Sequence, residues 1–166
     1  MAMNARHRVP YRRRREGKTD YRARLALLKS RLPRAVVRKS LRNIQVQFIE
    51  FDINGDKVLT CATGRELAKF GWVRSCSNLP AAYLTGFLAG KRALANGIKK
   101  AVLDIGIERP TKGNKLFAAL KGMVDAGVEI PHGEEVLPAE DRIRGAHINA
   151  EEEFEKVFNS LKEEFE

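Results

Sequence analysis

Cysteine is scarce in this chain, aromatic residues are few and long apolar runs are missing, and each shortage closes off a class of protein. Cys61 and Cys76 lie fifteen positions apart, which fits neither a paired CxxC zinc pattern nor a disulfide-dense scaffold. Both are expected to be reduced and structural. No signal-peptide core and no stretch of about 18 apolar residues is present, so the chain is expected to be neither exported nor membrane-spanning, and therefore cytoplasmic. Aromatics make up 7% and hydrophobic residues 43% of 166 residues, enough for one domain with a modest core and no internal repeat.

Catalytic patterns are also missing. No Ser, His and acid set stands out, and no glycine-framed nucleophile. Gly90-Lys91-Arg92 has the look of a phosphate-loop end, but Thr85 occupies the upstream glycine position and Arg92 the Ser/Thr position, so phosphate cradling and magnesium ligation both fail. Gly86 and Gly90 read better as small residues that let helices approach closely. His132, Glu134 and Glu135 have no second histidine at helical spacing, and Pro131-His132-Gly133 looks like a turn, so a surface or capping role is preferred to a metal site. No enzyme activity, cofactor or small-molecule substrate is expected.

What the chain does have is positive charge, and it is steeply polarised. The net charge is +10; residues 1–42 hold 15 Lys and Arg against Glu16 and Asp20, so the other 124 residues carry a slight negative excess. Phosphate-neutralising side chains act together only when concentrated on one surface, so this is an N-terminal device on a nearly neutral body, of the kind that meets a polyanion.

The expected organisation has three parts: a basic arm at 1–18, an α/β domain at 19–148, and an acidic amphipathic helix at 149–166. The arm has almost no apolar periodicity and many mutually repelling arginines, so it is expected to be disordered until bound. After a Thr19 or Asp20 cap, Tyr21, Leu25, Leu28 and Leu32 fall on one helical face. Strands are expected at Ala35–Ser40, Ile44–Phe51 and Lys57–Ala62, the last two joined at Asn54-Gly55 by a type I′ or related turn. Alternation breaks at Ile49 and Phe51, which implies a bulge or cover on both faces.

A polar, glycine-containing connection from Thr63 to Asn78 follows, whose stretch Lys69–Ser75, with Trp72 and Arg74, is a candidate RNA contact loop. Next come a helix from Pro80 to Asn96-Gly97 and a buried strand at Ala101–Ile105. A second helix spans Asn114–Ala126, and a short helical piece lies near Ala139–Arg144. The fold class is therefore α/β: a single mixed sheet with antiparallel hairpin strands and a βαβ crossover, helices packed on it, an extended basic arm and a C-terminal helix. In the tail, Phe154, Val157, Phe158, Leu161 and Phe165 form one stripe on an otherwise acidic helix. The tail is expected to dock by its phenylalanines, on the body or on a neighbour.

Tyr11-Arg12-Arg13-Arg14-Arg15-Glu16-Gly17-Lys18 is the sharpest local feature. Arginine forks bridge phosphate oxygens, and Tyr11 can stack on an unpaired base. With no helix-turn-helix, zinc-finger or basic-zipper pattern, an arginine segment that orders on binding suits RNA better than DNA. Trp72, between Lys69 and Arg74, can either stack on a nucleotide or anchor its loop to the core. Lys39, Arg42 and Asn43 sit at a turn that can touch RNA backbone or simply be solvated. The competing class is an RNA-processing enzyme or RNA chaperone, which turnover of labelled RNA would reveal.

Three stretches carry a family likeness: Tyr11–Tyr21 (YRRRREGKTDY), Asn78–Phe87 (NLPAAYLTGF) and Leu103–Pro131 (LDIGIERPTKGNKLFAALKGMVDAGVEIP), continuing into His132. With them the chain resembles the large-subunit ribosomal protein L-eighteen family, whose eukaryotic member is L-five, in its archaeal form. The resemblance implies a non-catalytic component of the large ribosomal subunit that binds 5S rRNA and helps join it to the large-subunit (23S) rRNA at the central protuberance, beside neighbouring ribosomal proteins. It also implies RNA contacts at Tyr11, Arg12, Arg13, Arg14, Arg15, Lys18, Tyr21, Arg22 and Arg24, with Arg109, Lys112, Gly113 and Lys115 as lesser candidates. Leu79-Pro80 stands where a tryptophan-containing turn is usual in the eukaryotic pattern, and the long eukaryotic C-terminal extension is expected to be absent.

Overall fold

A computed structural model describes residues 8–165. Three antiparallel strands, β1 (Arg34–Lys39), β2 (Ile44–Glu50) and β3 (Lys57–Thr63), are joined by β4 (Val102–Asp104), which lies parallel to β1 and gives the order β3-β2-β1-β4. The sheet is mixed, as expected. Alternation places Ala35, Val37, Ile44, Val46, Phe48 and Ala62 in the core, while Arg34 and Arg38 project to the opposite face. The break at Ile49 is a bulge: Phe48 pairs with Thr60 but Ile49 with Val58, leaving Leu59 as the extra residue. The bulged strand is thus β3, and it bends there, while the alternation of β2 runs on through half-buried Ile49.

The connection from β2 to β3 is longer than a two-residue turn. Asp52 accepts hydrogen bonds from the Asn54 amide through its side chain (3.2 Å) and from the Gly55 amide through its carbonyl (3.2 Å), which closes a four-residue turn at Asp52–Gly55 and corrects the tighter hairpin expected. An aspartate that bonds its own backbone two residues on competes with the I′ geometry.

From β3 the chain crosses over the sheet by α3 (Leu79–Ala95) before returning as β4, so the crossover passes two strands. Asn78 caps α3, its side chain accepting from the Ala81 amide at 2.9 Å. Gly97, at φ 77°, lets the chain turn back after the last turn. Every residue from Leu79 to Gly90 is buried, because the sheet covers one side of this helix and α4 (Lys115–Asp125) the other. The two helices meet at backbone distance: a Cβ on Gly86 would strike the Ala119 carbonyl, one on Gly122 the Tyr83 carbonyl, and one on Gly90 would lie 2.6 Å from the Ala119-following helix end at Ala126. This is the close-packing role expected of Gly86 and Gly90.

After α4, Glu129 bridges Lys100 in parallel, a rudimentary continuation of the sheet. A short α5 (Glu140–Arg144) leads to α6 (Glu151–Glu163). Phe154, Val157 and Leu161 of α6 are buried, and Phe154 and Phe158 pack on Tyr83 and Phe87 of α3 with ring centroids 4.8 to 6.1 Å apart. The acidic tail therefore docks on the body.

Candidate nucleic-acid interface

Basic side chains at the N-terminal end are organised before any partner arrives. Tyr11 precedes a single helical turn, α1 (Arg12–Arg15), where the expectation was an unstructured arm. Glu16 explains the turn: its carboxylate takes Arg12 at 2.8 Å and Lys18 at 2.9 Å. Those two cations hold its carboxyl below the ordinary range. Arg13 Nε donates to Thr19 Oγ1 at 2.8 Å. The part of the arm at residues 1–7, including Arg6, lies outside the described residues.

Asp20 then caps α2 (Tyr21–Leu28), its side chain accepting from the Arg22 and Ala23 amides at 2.9 and 3.1 Å. The expected apolar stripe is not what buries this helix. No α2 residue is buried, Leu25 is 58% exposed, and the helix ends before Leu32. Arg31, at φ 57°, leads the chain away into β1. Tyr11 and Tyr21 sit together, ring centroids 5.3 Å apart, with Tyr11 74% exposed.

The arm and α2 cover the non-core face of the sheet near β4. Between them lies a cavity of about 420 Å³ lined by Arg13, Lys18, Arg24, Arg34, Arg38 and Asp104 among others. A shallower depression of about 340 Å³ joins Arg14, Tyr21 and Arg22 to Ile107 of the loop after β4. Lys39 lies at the end of β1 and pairs with Glu108 of that loop at 3.1 Å. The arm, α2, Lys39 and the segment leading to exposed Arg109 thus share one side of the molecule.

Among the described residues, Arg14, Arg15, Arg22, Arg42 and Arg109 make no ion pair, and all are exposed. Arg42 belongs to the turn after β1, beside Leu41, which is 98% exposed. Leu41 and Lys115 border one depression of about 460 Å³, and Lys115 Nζ lies 3.5 Å from Ser77 Oγ. Lys112 pairs loosely with Glu135 at 2.9 Å; both ends are well exposed, so the pair yields easily to a competing phosphate.

Two expected contacts are corrected. Trp72 is 3% exposed and its indole donates to the Ser75 carbonyl at 3.2 Å, so it anchors the loop and offers no ring face to a base. Its segment is not an open contact loop either. Residues Gly64–Phe70 form a 3-10 helix started by a reciprocal Thr63–Glu66 cap. Burial pushes the Glu66 carboxyl up, but Arg92 at 2.6 Å and the Thr63 amide hold it below the usual range. Arg74 is likewise committed: it reaches Glu153 at 2.9 Å and donates to the carbonyls of Ile148 and Asn149 at 2.7 and 2.9 Å. It ties the α5–α6 connection down.

Sequence reasoning missed Arg34, Arg38, Asp56 and Asp104. Arg34 bridges Asp104 at 2.8 Å and Asp56 at 2.6 Å, while Arg38 holds Asp104 at 3.0 Å. Burial raises the Asp104 carboxyl, and the Arg38 and Arg34 guanidiniums, with the Gly106 amide, outweigh it and set it below the ordinary range. No spacing rule could pair Arg34 with a residue 70 positions away. Among the described residues no cluster of three metal-ligating side chains occurs, and no helix is long and apolar enough to cross a membrane.

Known proteins place this basic face in context. The family model described as "Ribosomal large subunit proteins 60S L5, and 50S L18" matches residues 5–99 and 95–133. A large ribosomal subunit protein uL18 of Korarchaeum cryptofilum is 55% identical over 99% of the chain and 85% of its own length. The uL18 of Methanococcus maripaludis is 51% identical over 99% of the chain and 86% of its own length. That of Aeropyrum pernix is 56% identical over 89% of the chain and 70% of its own length. Likeness of this extent, running through the arm and the body together, leaves one conclusion: the chain belongs to the family of large-subunit ribosomal proteins 60S L5 and 50S L18, and its role is structural rather than enzymatic.

Proposed function

We propose that the chain binds 5S rRNA through its N-terminal arm and α2, and helps attach it to the large-subunit (23S) rRNA at the central protuberance. The observation that carries this reading is the placement of charge: the +13 of residues 1–42 includes an arginine turn whose Arg14 and Arg15 lack any intramolecular ion partner among the described residues. Tyr11 and Tyr21 supply flat surfaces beside it for unpaired bases. The contact set is Tyr11, Arg12, Arg13, Arg14, Arg15, Lys18, Tyr21 and Arg22, extended by Lys39 and Arg109 on the same side. Arg42, Lys112 and Lys115 form a second, smaller basic area suited to the RNA that flanks the first. The acidic outer face of α6 repels phosphate, so neighbouring ribosomal proteins are the partners it suits.

Each phosphate neutralised releases condensed counterions, so affinity falls steeply with salt. For roughly six phosphates the slope of log K against log salt is about −4 to −5. Titrating purified 5S rRNA at several salt concentrations measures it, and a flat response rejects the electrostatic grip.

A further inference from the structure

Helix α2 carries the arginine turn on its N-terminal side, yet little of its own chemistry holds it in place. An isolated helix of eight residues is unstable in water, and here no α2 side chain is buried. Beneath it the cavity of about 420 Å³ separates Ala23, Ala26 and Leu27 from Leu103 and Asp104 of the sheet. Packing, limited to half-buried Tyr21, Leu27 and Leu28, therefore does not by itself determine where this helix lies.

A polar tether does. Arg24 Nη2 reaches both carboxylate oxygens of Asp56, each at 2.9 Å. The same carboxylate takes Arg34 Nη2 at 2.6 Å, and Arg34 Nη1 reaches Asp104 at 2.8 Å. Side-chain exposure falls along this series from 35% at Arg24 through 23% at Asp56 to 4% at Arg34. The charges alternate from the surface helix to an anchor inside the protein, where water cannot compete with them. Asp56 is also out of character on a face built to meet phosphate. An unpaired carboxylate there would repel the partner, whereas one between two guanidiniums does not.

We propose that Arg24, Asp56 and Arg34 form a bridge that fixes the pose of α2, and with it the arginine turn, on the sheet. Asp56 is then a positioning residue for RNA binding that never touches RNA. Arg24, which the family resemblance assigns to the RNA, holds the arm instead. The proposal rests on the RNA reading given above and adds a cause: an arm already oriented pays less ordering entropy on binding.

The test uses the full chain with Arg24→Gln, Asp56→Asn and both together, titrated against 5S rRNA at several salt concentrations. Each single change is expected to weaken binding about three- to tenfold, the double change no further than either, and the salt slope to stay the same. If Arg24→Gln flattens the slope by about 0.7 to 0.9, the share of one phosphate, while Asp56→Asn leaves affinity unchanged, Arg24 is a direct contact and the proposal is overturned. Hydrogen exchange without RNA supplies an independent readout: amides of residues 21–28 should exchange faster in each variant while those of β1 to β3 keep their protection. Unaltered protection of α2 sinks the bridge whatever the RNA result. Should the unaltered chain ignore 5S rRNA, the functional reading fails and exchange alone decides the bridge. Should Asp56→Asn loosen the whole fold through Arg34, Arg24→Gln decides, since it leaves Arg34 both carboxylates.

Discussion

The two ends of the chain solve opposite problems with the same element. Both are surface helices in charged surroundings, basic around α2 and mainly acidic on α6, yet α6 buries Phe154, Val157 and Leu161 against the body while every α2 residue is exposed or half-buried. Four of the five glutamates of α6 are exposed, away from its apolar stripe, and the fifth, Glu153, pairs with Arg74, so their repulsion does not oppose docking. The arm and α2 have no such stripe, and only some of their cations are held by carboxylates: Arg12 and Lys18 by Glu16 within the arm, Arg24 by Asp56 from the body. Charge decides what each end can meet, and the apolar stripe decides whether it settles on its own protein first.

That contrast can be broken by experiment. The largest effect is expected at Leu161, fully buried in the stripe: Leu161→Ala should cost about 2 to 5 kcal/mol of stability, read by thermal or urea unfolding, with 5S rRNA affinity per folded molecule unchanged. A loss below about 1 kcal/mol would show that α6 is held mainly by something else. Deleting residues 1–18 should do the reverse, leaving the unfolding transition in place but weakening RNA binding by well over about tenfold. Equal affinity for the truncated protein would make the body the reader.

Acid sharpens the comparison next. Asp104 and Glu66 both have carboxyls lowered in the fold, so each adds stability that is complete above its unfolded value, near about 4. That stability is lost as pH falls through the lower folded values. The thermal midpoint should be level on account of these groups from about pH 7 to 5 and drop below about pH 4. Asp104→Asn should make the acid limb shallower. The smallest effect belongs to Glu135→Gln, whose pairing with Lys112 is exposed at both ends: stability should move by less than about 0.5 kcal/mol.

Local rules made much of this architecture legible in the sequence. Asn78, Pro80 and Gly97 mark the ends of α3 because caps and terminators act within a few residues. The lost alternation at Ile49 falls opposite a true bulge, which lies on β3 at Leu59. The stripe on α6 was readable because it has the period of the helix. Failures came where a distant residue overrode a local pattern. Tyr21, Leu25, Leu28 and Leu32 have helical spacing, but α2 lies over a cavity and ends before Leu32, so periodicity there brings at most half-burial. Trp72 is flanked by basic residues, and only the packed fold reveals that its ring points inward. Arg34 reads as one more cation in a basic run. Its partners are 22 and 70 residues away, beyond any spacing argument.

The contact of α3 with α4 has a mechanical side. Where Gly86 and Gly122 bring one main chain against the other, no side chain lies between to swing aside and absorb a displacement. The two helices are riveted, and the sheet that rests on them inherits their stiffness. A molecule that presses on this body meets a die rather than a cushion, so accommodation on contact falls to the visitor and to the loosely seated α2.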